Sequence, residues 1–298
     1  MSTRIESTTS NQIEDFFFAR RLLSRNSVVN LLLSSSFGIN ALLYAAWLGY
    51  LVGLWALLIQ AGWALSFYLL GRYADNFSQA TSLHDLLGSS FVRNPKLLPN
   101  KSWRLVAWFV ILIAWEVSVG KSMLNSLPGT ALTPTAIAWI MGGIVLLSLT
   151  YSLQGGLRSN ATVNIFTNGI KISVVFVLVL STLILLTRAH TEIWTTLLPS
   201  FGVVIERLGW FGLTTNIIFN LAWQFVDNSS WQSVVAGSNA GAIETKHNLR
   251  LSGLTVFLTI GFLGTLLGAA FTTIANLTPD NILIQSIKWH YKNSSGKP

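Results

Sequence analysis

A short polar segment, SSSFGIN at residues 34–40, interrupts an uncharged apolar stretch at residues 28–50. Hydroxyl and amide side chains compete with the helical backbone for hydrogen bonds, and glycine loosens it. At membrane depth, irregular backbone is tolerated only where it is buried in protein or lines a wet cavity. One interpretation is a broken helix that offers backbone carbonyls to a cation and amide groups to a solute. A serine-rich helix packed closely on a neighbour explains the segment equally well.

A second group of polar residues is concentrated between residues 216 and 232. Asn216, Asn220, Trp223 and Asp227 follow i, i+4, i+7, i+11 spacing, which places them on one helix face. The polar groups are too dense for a helix that faces lipid. The pattern therefore favours a helix that lines a solute pathway, either continuous or broken. The alternative is a helix that leaves the membrane near Phe225, with Asp227 already at the inner interface.

One carboxylate, Glu116, falls inside a predicted membrane span. A carboxylate at membrane depth is costly unless it is paired or hydrated, so by default it marks a functional site. The alternative is a local pair with Lys121 near the outer end of the span. Asn164, Asn168 and Lys171 follow one another at one-turn intervals in a later span, where the favoured interpretation is a polar helix start at the interface.

The sequence contains no pattern typical of an enzyme. There is no cysteine, which excludes thiol nucleophiles, thiolate metal sites and disulfides. The four histidines are scattered through loops and the tail, and no HExxH, GxSxG or phosphate-binding glycine motif is present. We therefore expect neither catalysis nor an organic cofactor.

The composition indicates an integral membrane protein. Apolar residues make up 51% of the chain, charged residues 10%, and the mean hydropathy is +0.55, whereas a soluble domain carries roughly 25% charged residues. Twelve tryptophans suit a protein with two membrane interfaces. The net charge of +8 is then interpreted as cytoplasmic loop charge, not as a nucleic-acid-binding surface.

Apolar segments predict an all-helical chain with about seven transmembrane helices, at residues 28–50, 51–71, 104–127, 133–153, 162–187, 211–236 and 250–276. This transporter-like core, 28–276, follows a basic cytoplasmic segment at 1–27 and precedes a polar tail at 277–298. A turn is expected at 154–161 and an amphipathic connector at 188–210. With the N-terminus inside, twelve Lys and Arg residues are cytoplasmic and five lie on the opposite side, which agrees with the positive-inside rule.

Several stretches resemble the sodium/solute symporter family, whose members carry sugars, proline, pantothenate, urea or carboxylates. EDFFFARR at residues 14–21 resembles the family's "EDFFLAGR", and YSLQGGLR at 151–158 is similar to "YTVLGGLKA", the most specific match. Residues 34–38 stand where the family has its first helix break, followed by Gly49 and Tyr50 at the helix end. Residues 220–237 resemble the sixth core helix. The resemblance extends from about residue 13 to the end of the chain.

The resemblance implies a five-plus-five inverted-repeat fold, of which this chain holds a part. It also implies a sodium site in which the backbone carbonyls of Ser34 and Phe37 are two of the ligands. The remaining ligands are hydroxyls on an eighth core helix that lies beyond the end of this sequence. The implied substrate contacts belong to both broken helices: Ser36, Gly38, Asn40, Asn220 and Trp223.

Two departures from the family pattern weaken the expectation of ordinary sodium coupling. The aspartate of the family's "WTDxxQ" is Asn164 here and its glutamine is Thr167, which removes a carboxylate that would attract or release a cation. The other departure is the missing C-terminal half, without which one copy cannot complete the cation site.

The sequence-based prediction is a secondary active transporter in the plasma or inner membrane, with a cytoplasmic N-terminus. It would couple sodium to the symport of a small organic solute by alternating access. The alternative is an incomplete or non-transporting solute-sensing protein on the same scaffold. Membrane lipid and a small organic solute are the expected partners. The identity of the solute, the choice between sodium and protons, and the oligomeric state are left open by the sequence.

Overall fold

The computed structural model describes residues 15–16, 18–73, 101–126, 132–188 and 197–271. This part of the chain is all-helical and contains no strand, which confirms the predicted fold class at that level. Most of the predicted N-terminal segment 1–27 before Phe18, the loop 74–100 and the tail 277–298 lie outside the described residues.

Three helical stretches among the described residues are long and apolar enough to cross a membrane: Ile39–Tyr73, Pro134–Ser181 and Ala242–Ala269. Their lengths of 35, 48 and 28 residues exceed the roughly 20 residues that a helix needs to span a bilayer. They are expected of a membrane protein. The count of seven spans and the inverted repeat stay predictions.

The α-helices of the described residues range in length from 7 to 55 residues. They are α1 Arg25–Ser36, α2 Ile39–Val52, α3 Ala56–Leu70, α4 Lys101–Ser126, α5 Pro134–Arg188, α6 Phe201–Val226, α7 Asn228–Val235, α8 Ala242–Val256 and α9 Leu263–Ala269. A π-helical segment, Phe257–Phe262, joins α8 to α9 without a loop.

Glycines with positive φ separate several helices more sharply than the sequence predicts. The expected turn at 154–161 is reduced to Gly156, with φ 55° and ψ −146°, so 134–155 and 157–188 are two arms of α5. Gly53, with φ 60°, ends α2. Glycine changes the direction of the chain in one residue because it accepts positive φ without steric cost.

Helix α6 has two arms, because Gly209 (φ 66°, ψ 163°) has non-helical backbone. The first arm starts at Phe201, inside the predicted connector 188–210, and the second arm begins next to the predicted span start at 211. Helix α8 starts at Ala242 rather than 250. There hydropathy located the apolar part of the helix, whereas the helical backbone continues into polar residues, since a helix need not end where the bilayer does.

Small residues allow α2 and α9 to cross in backbone contact. A Cβ atom on Gly268 would collide with the Ala46 carbonyl, and one on Gly49 would collide with the Thr265 carbonyl. Gly264 packs against Ala45, with 2.7 Å between the Ala45 Cβ and a Cβ built on the glycine. Gly264 and Gly268 form a Gly-x-x-x-Gly pair, a spacing typical of close helix association in membranes. This crossing fixes the helix that follows the first break.

Two of the segments that carry the family resemblance are in contact. The Asp15 carboxylate lies 3.6 Å from the Arg158 guanidinium and 3.5 Å from that of Arg20. The backbone of Phe16 lies against Gly156, where any side chain would collide with it. The N-terminal motif is therefore anchored on the glycine turn of α5.

Candidate functional site

The interruption predicted between residues 34 and 40 is present. Helix α1 ends at Ser36 and α2 begins at Ile39, while Phe37 (φ −93°, ψ 61°) and Gly38 (φ −84°, ψ 164°) have non-helical backbone. The two helix ends carry opposite partial charges, negative at the carbonyl end of α1 and positive at the amide end of α2. The break is thus a point at which ligands of either charge can be held.

A lysine from the second arm of α5 reaches the carbonyl end of this break. The Lys171 ammonium donates a hydrogen bond to the Phe37 carbonyl at 3.2 Å and lies 5.7 Å from the centre of the Phe37 ring. One turn earlier, the buried Asn168 amide donates to the Asn30 carbonyl at 2.8 Å. These two contacts fasten α5 along α1, and one of them occupies a carbonyl that the resemblance assigns to sodium.

The amide end of the break faces the carboxylate of Glu116 on α4. The carboxylate interacts with the backbone N–H groups of Ile39 and Asn40 and with the Asn40 side chain, and it also interacts electrostatically with Lys171. Gly38, the residue before α2, has no side chain that could cap the helix. Glu116 therefore stands where a cap would be, and its contacts lie at the break rather than with the predicted local partner Lys121.

A second break lies between α6 and α7, at Asp227. This residue has extended backbone, and its carboxylate accepts hydrogen bonds from the backbone N–H groups and hydroxyls of Ser229 and Ser230. Asp227 is accordingly an N-cap, a common use of aspartate. Its carboxylate oxygens both accept hydrogen bonds from the first turn of α7.

The two breaks meet through their serines. The Ser35 and Ser230 hydroxyl oxygens are 3.4 Å apart, and Ser230 is the residue whose N–H and hydroxyl are held by Asp227. Interrupted helices in contact at their interruptions bring several free helix ends to one place. This juxtaposition joins residues that are 195 positions apart in the sequence.

A hydrogen-bonded cluster connects α6 to α2 one turn beyond Asn40. The Asn220 side-chain amide donates to the Tyr44 hydroxyl at 2.8 Å, and that hydroxyl donates to the side-chain oxygen of Asn216 at 2.8 Å. Trp223 is half-buried beside Phe219, with ring centres 5.3 Å apart. Two residues of the predicted face of α6, Asn216 and Asn220, thus contact α2, and Tyr44 is a member of the cluster that the sequence analysis did not select.

Several buried polar atoms in this region have no hydrogen-bond partner among the described residues. They include the Ser36 hydroxyl, the Asn220 side-chain carbonyl and both polar atoms of the Gln224 amide. Ser36, Asn220 and Gln224 are each at most 3% exposed. Because buried polar groups are normally paired, these atoms are candidates for hydrogen bonds to water or to a bound molecule.

The five predicted substrate contacts fall into two groups. Ser36, Gly38 and Asn40 are at the first break, whereas Asn220 and Trp223 are on α6, where Asn220 contacts Tyr44 one turn along α2 from Asn40. A cavity of about 700 Å³ between α4 and the first arm of α5 reaches the break through Ile39 and Glu116, and its remaining lining is mostly apolar. None of the five predicted contacts lines that cavity.

Asn164 does not reach the first break, although it belongs to the same polar series as Asn168 and Lys171. Its carbonyl accepts a hydrogen bond from Thr167 at 3.5 Å, and the residues that reach the break are Asn168 and Lys171. The sequence favoured an interfacial helix start for this polar series, and the structure instead directs it at α1. The one-turn spacing marked the right face, but only the packing of α5 on α1 shows what that face contacts.

Comparison of the chain with models of protein families, with curated proteins and with solved structures finds no match. The site therefore has to be interpreted from its own geometry. That geometry contains two broken helices, a charged side chain at each end of the first break, and a set of buried amides and hydroxyls.

Proposed function

We propose that this chain is the solute-binding part of a secondary transporter that moves a small organic solute across a membrane by alternating access. The observation that carries the proposal is the contact between two helices that are both interrupted, made by Ser35 and Ser230 at 3.4 Å. Discontinuous helices whose free ends face one another are the usual means by which transporters bind small solutes at the membrane midplane. The resemblance to the sodium/solute symporter family supports the same function.

The unpaired polar atoms beside the breaks indicate what chemistry the solute would offer. An amide carbonyl at Asn220 and the amide of Gln224 provide both acceptors and donors. A neutral polar solute with hydroxyl or amide groups can satisfy them. Trp223, half-buried at the end of the same face, would supply an apolar surface for the carbon skeleton.

Sodium coupling, which the resemblance implies, is the least supported part of the function. The implied ligands within this chain are the Ser34 and Phe37 carbonyls, and the Phe37 carbonyl already accepts a hydrogen bond from Lys171. The choice of coupling ion therefore requires a separate test from the binding of the solute.

The test of solute binding uses the purified full chain and radiolabelled proline, glucose, urea and pantothenate. If one of them binds, Asn220→Ala should weaken that binding about tenfold, because one lost hydrogen bond is worth about 1.4 kcal/mol. Asn239→Ala, the same substitution at an exposed residue whose amide donates to the Arg20 carbonyl, is the matched control and should bind as the wild type does.

Uptake into proteoliposomes separates a transporter from a sensor. Accumulation of the bound solute in the lumen supports transport, whereas binding without uptake identifies the solute-sensing alternative. Equal effects of Asn220→Ala and Asn239→Ala on binding would contradict the location of the site at α6.

A further inference from the structure

Charged side chains from two other helices meet the two ends of the first break. Lys171, from the second arm of α5, lies at the carbonyl end, and Glu116, from α4, lies at the amide end. Each charge is opposite in sign to the partial charge of the helix end that it faces. The two side chains also interact electrostatically with each other, so opposite charges lie at the two ends of the break.

The carbonyl end is held by a charge-assisted hydrogen bond. The last carbonyls of a helix have no partner within the helix, and a cation is the ligand that stabilises them best. The Lys171 ammonium provides that cation at 3.2 Å from the Phe37 carbonyl. One turn earlier, the bond from Asn168 to Asn30 holds this part of α5 against α1, which keeps the backbone of Lys171 close to the break.

The amide end is open to a carboxylate because residue 38 is glycine. A Cβ atom built on Gly38 would lie 2.6 Å from the Glu116 Oε1 atom. Any other residue type at position 38 would therefore displace the carboxylate from the start of α2. The absence of a side chain here and the presence of Glu116 on α4 complement each other.

We propose that Lys171 and Glu116 are a built-in pair of opposite charges that stabilises the two ends of the broken helix, with the Lys171 ammonium bound to the Phe37 carbonyl, one of the two carbonyls that the family resemblance assigns to sodium. The break then needs no external cation, and solute binding and fold stability are independent of sodium. The inference depends on the proposed function only in treating the break as the solute site. The effect of the two charges on stability is testable without any solute.

The test compares thermal unfolding of the purified full chain in sodium chloride and in N-methylglucamine chloride at equal concentration. The wild type should unfold at the same midpoint in both salts. Lys171→Met should lower the midpoint by several degrees in N-methylglucamine and regain part of the loss in sodium, because the Phe37 carbonyl is then open to the ion. Lys171→Arg keeps the charge and should stay indifferent to sodium.

Two further variants distinguish the effect of the charges at the break from the effect of removing any charged side chain. Lys121→Met removes an exposed lysine from the helix that carries Glu116 and should leave the midpoint unchanged. Glu116→Gln should lower the midpoint, and the double variant with Lys171→Met should lower it by less than the sum of the two single changes, as coupled charges require.

The proposal is overturned if sodium specifically raises the midpoint of the wild type, or if Lys171→Met and Lys121→Met behave alike. If Lys171→Met cannot be purified folded, the wild type and Lys171→Arg still decide the question through their response to sodium. Failure of every labelled solute to bind would count against the proposed function and leave these unfolding results interpretable. Sodium-dependent uptake by the wild type would support the proposed transport function and contradict the independence of sodium.

Discussion

Substitution of Gly268 by alanine tests the crossing of α2 and α9, which holds the helix that follows the first break. A Cβ atom on Gly268 would collide with the Ala46 carbonyl and also lie 2.8 Å from the backbone nitrogen of Tyr50. These are backbone atoms of a buried helix, so no side chain can rotate out of the way. The added methyl group can be accommodated only if α9 moves away from α2.

The expected cost follows from two opposing effects. Insertion of a methyl group into a close-packed interface costs typically about 1–3 kcal/mol, and contact with rigid backbone puts Gly268 at the upper end of that range. Alanine is the better helix former by about 1 kcal/mol, which offsets part of the cost. We therefore expect Gly268→Ala to lower the free energy of unfolding by about 2 kcal/mol.

Gly142→Ala is the matched control, since this glycine is also helical and a Cβ atom on it would meet no other atom within 4 Å. It should be neutral or slightly stabilising. The measurement is equilibrium unfolding in mixed micelles, followed by helical circular dichroism. Equal stability of Gly268→Ala and Gly142→Ala would show that the two helices do not cross in backbone contact, and the position assigned to α2 would fail with it.

Two further substitutions address the polar contacts beside the breaks. Tyr44→Phe removes the hydroxyl shared by two asparagines of α6 and should cost about 1 kcal/mol of unfolding free energy in the same assay; no loss would mean that the cluster does not form. Asp227→Ala removes the N-cap of α7 and should lower the free energy of unfolding by about 1 kcal/mol. Asp227→Asn can still cap the helix and should keep most of that stability. If the two variants are equally destabilised, the negative charge of Asp227, and not its capping, stabilises the fold.

Part of the site was predictable because its cause is local. The break after Ser36 follows from hydroxyl residues and a glycine within a few positions of one another, whose effects on the backbone need no tertiary partner. The periodicity of α6 likewise marked the face that carries Asn216 and Asn220. The Gly264-x-x-x-Gly268 spacing is likewise a local pattern typical of close helix packing.

The role of Asp227 illustrates what local pattern leaves ambiguous. Its spacing placed it on the polar face of α6, but the helix ends one residue before it and the carboxylate caps the next helix. Helix ends are difficult to locate from hydropathy, because capping residues and pathway-lining residues are drawn from the same polar types.

By itself, the sequence determined the helical class, the presence of helices apolar enough to cross a membrane and the position of the first break, since composition and neighbouring residues fix these. Only the tertiary structure decided that Lys171 and Glu116 meet that break. The contact from Lys171 to Phe37 joins residues 134 positions apart, and a one-turn polar spacing is the same whether a helix face is turned to solvent or to another helix. Packing of α5 and α4 against α1 and α2 resolves that choice.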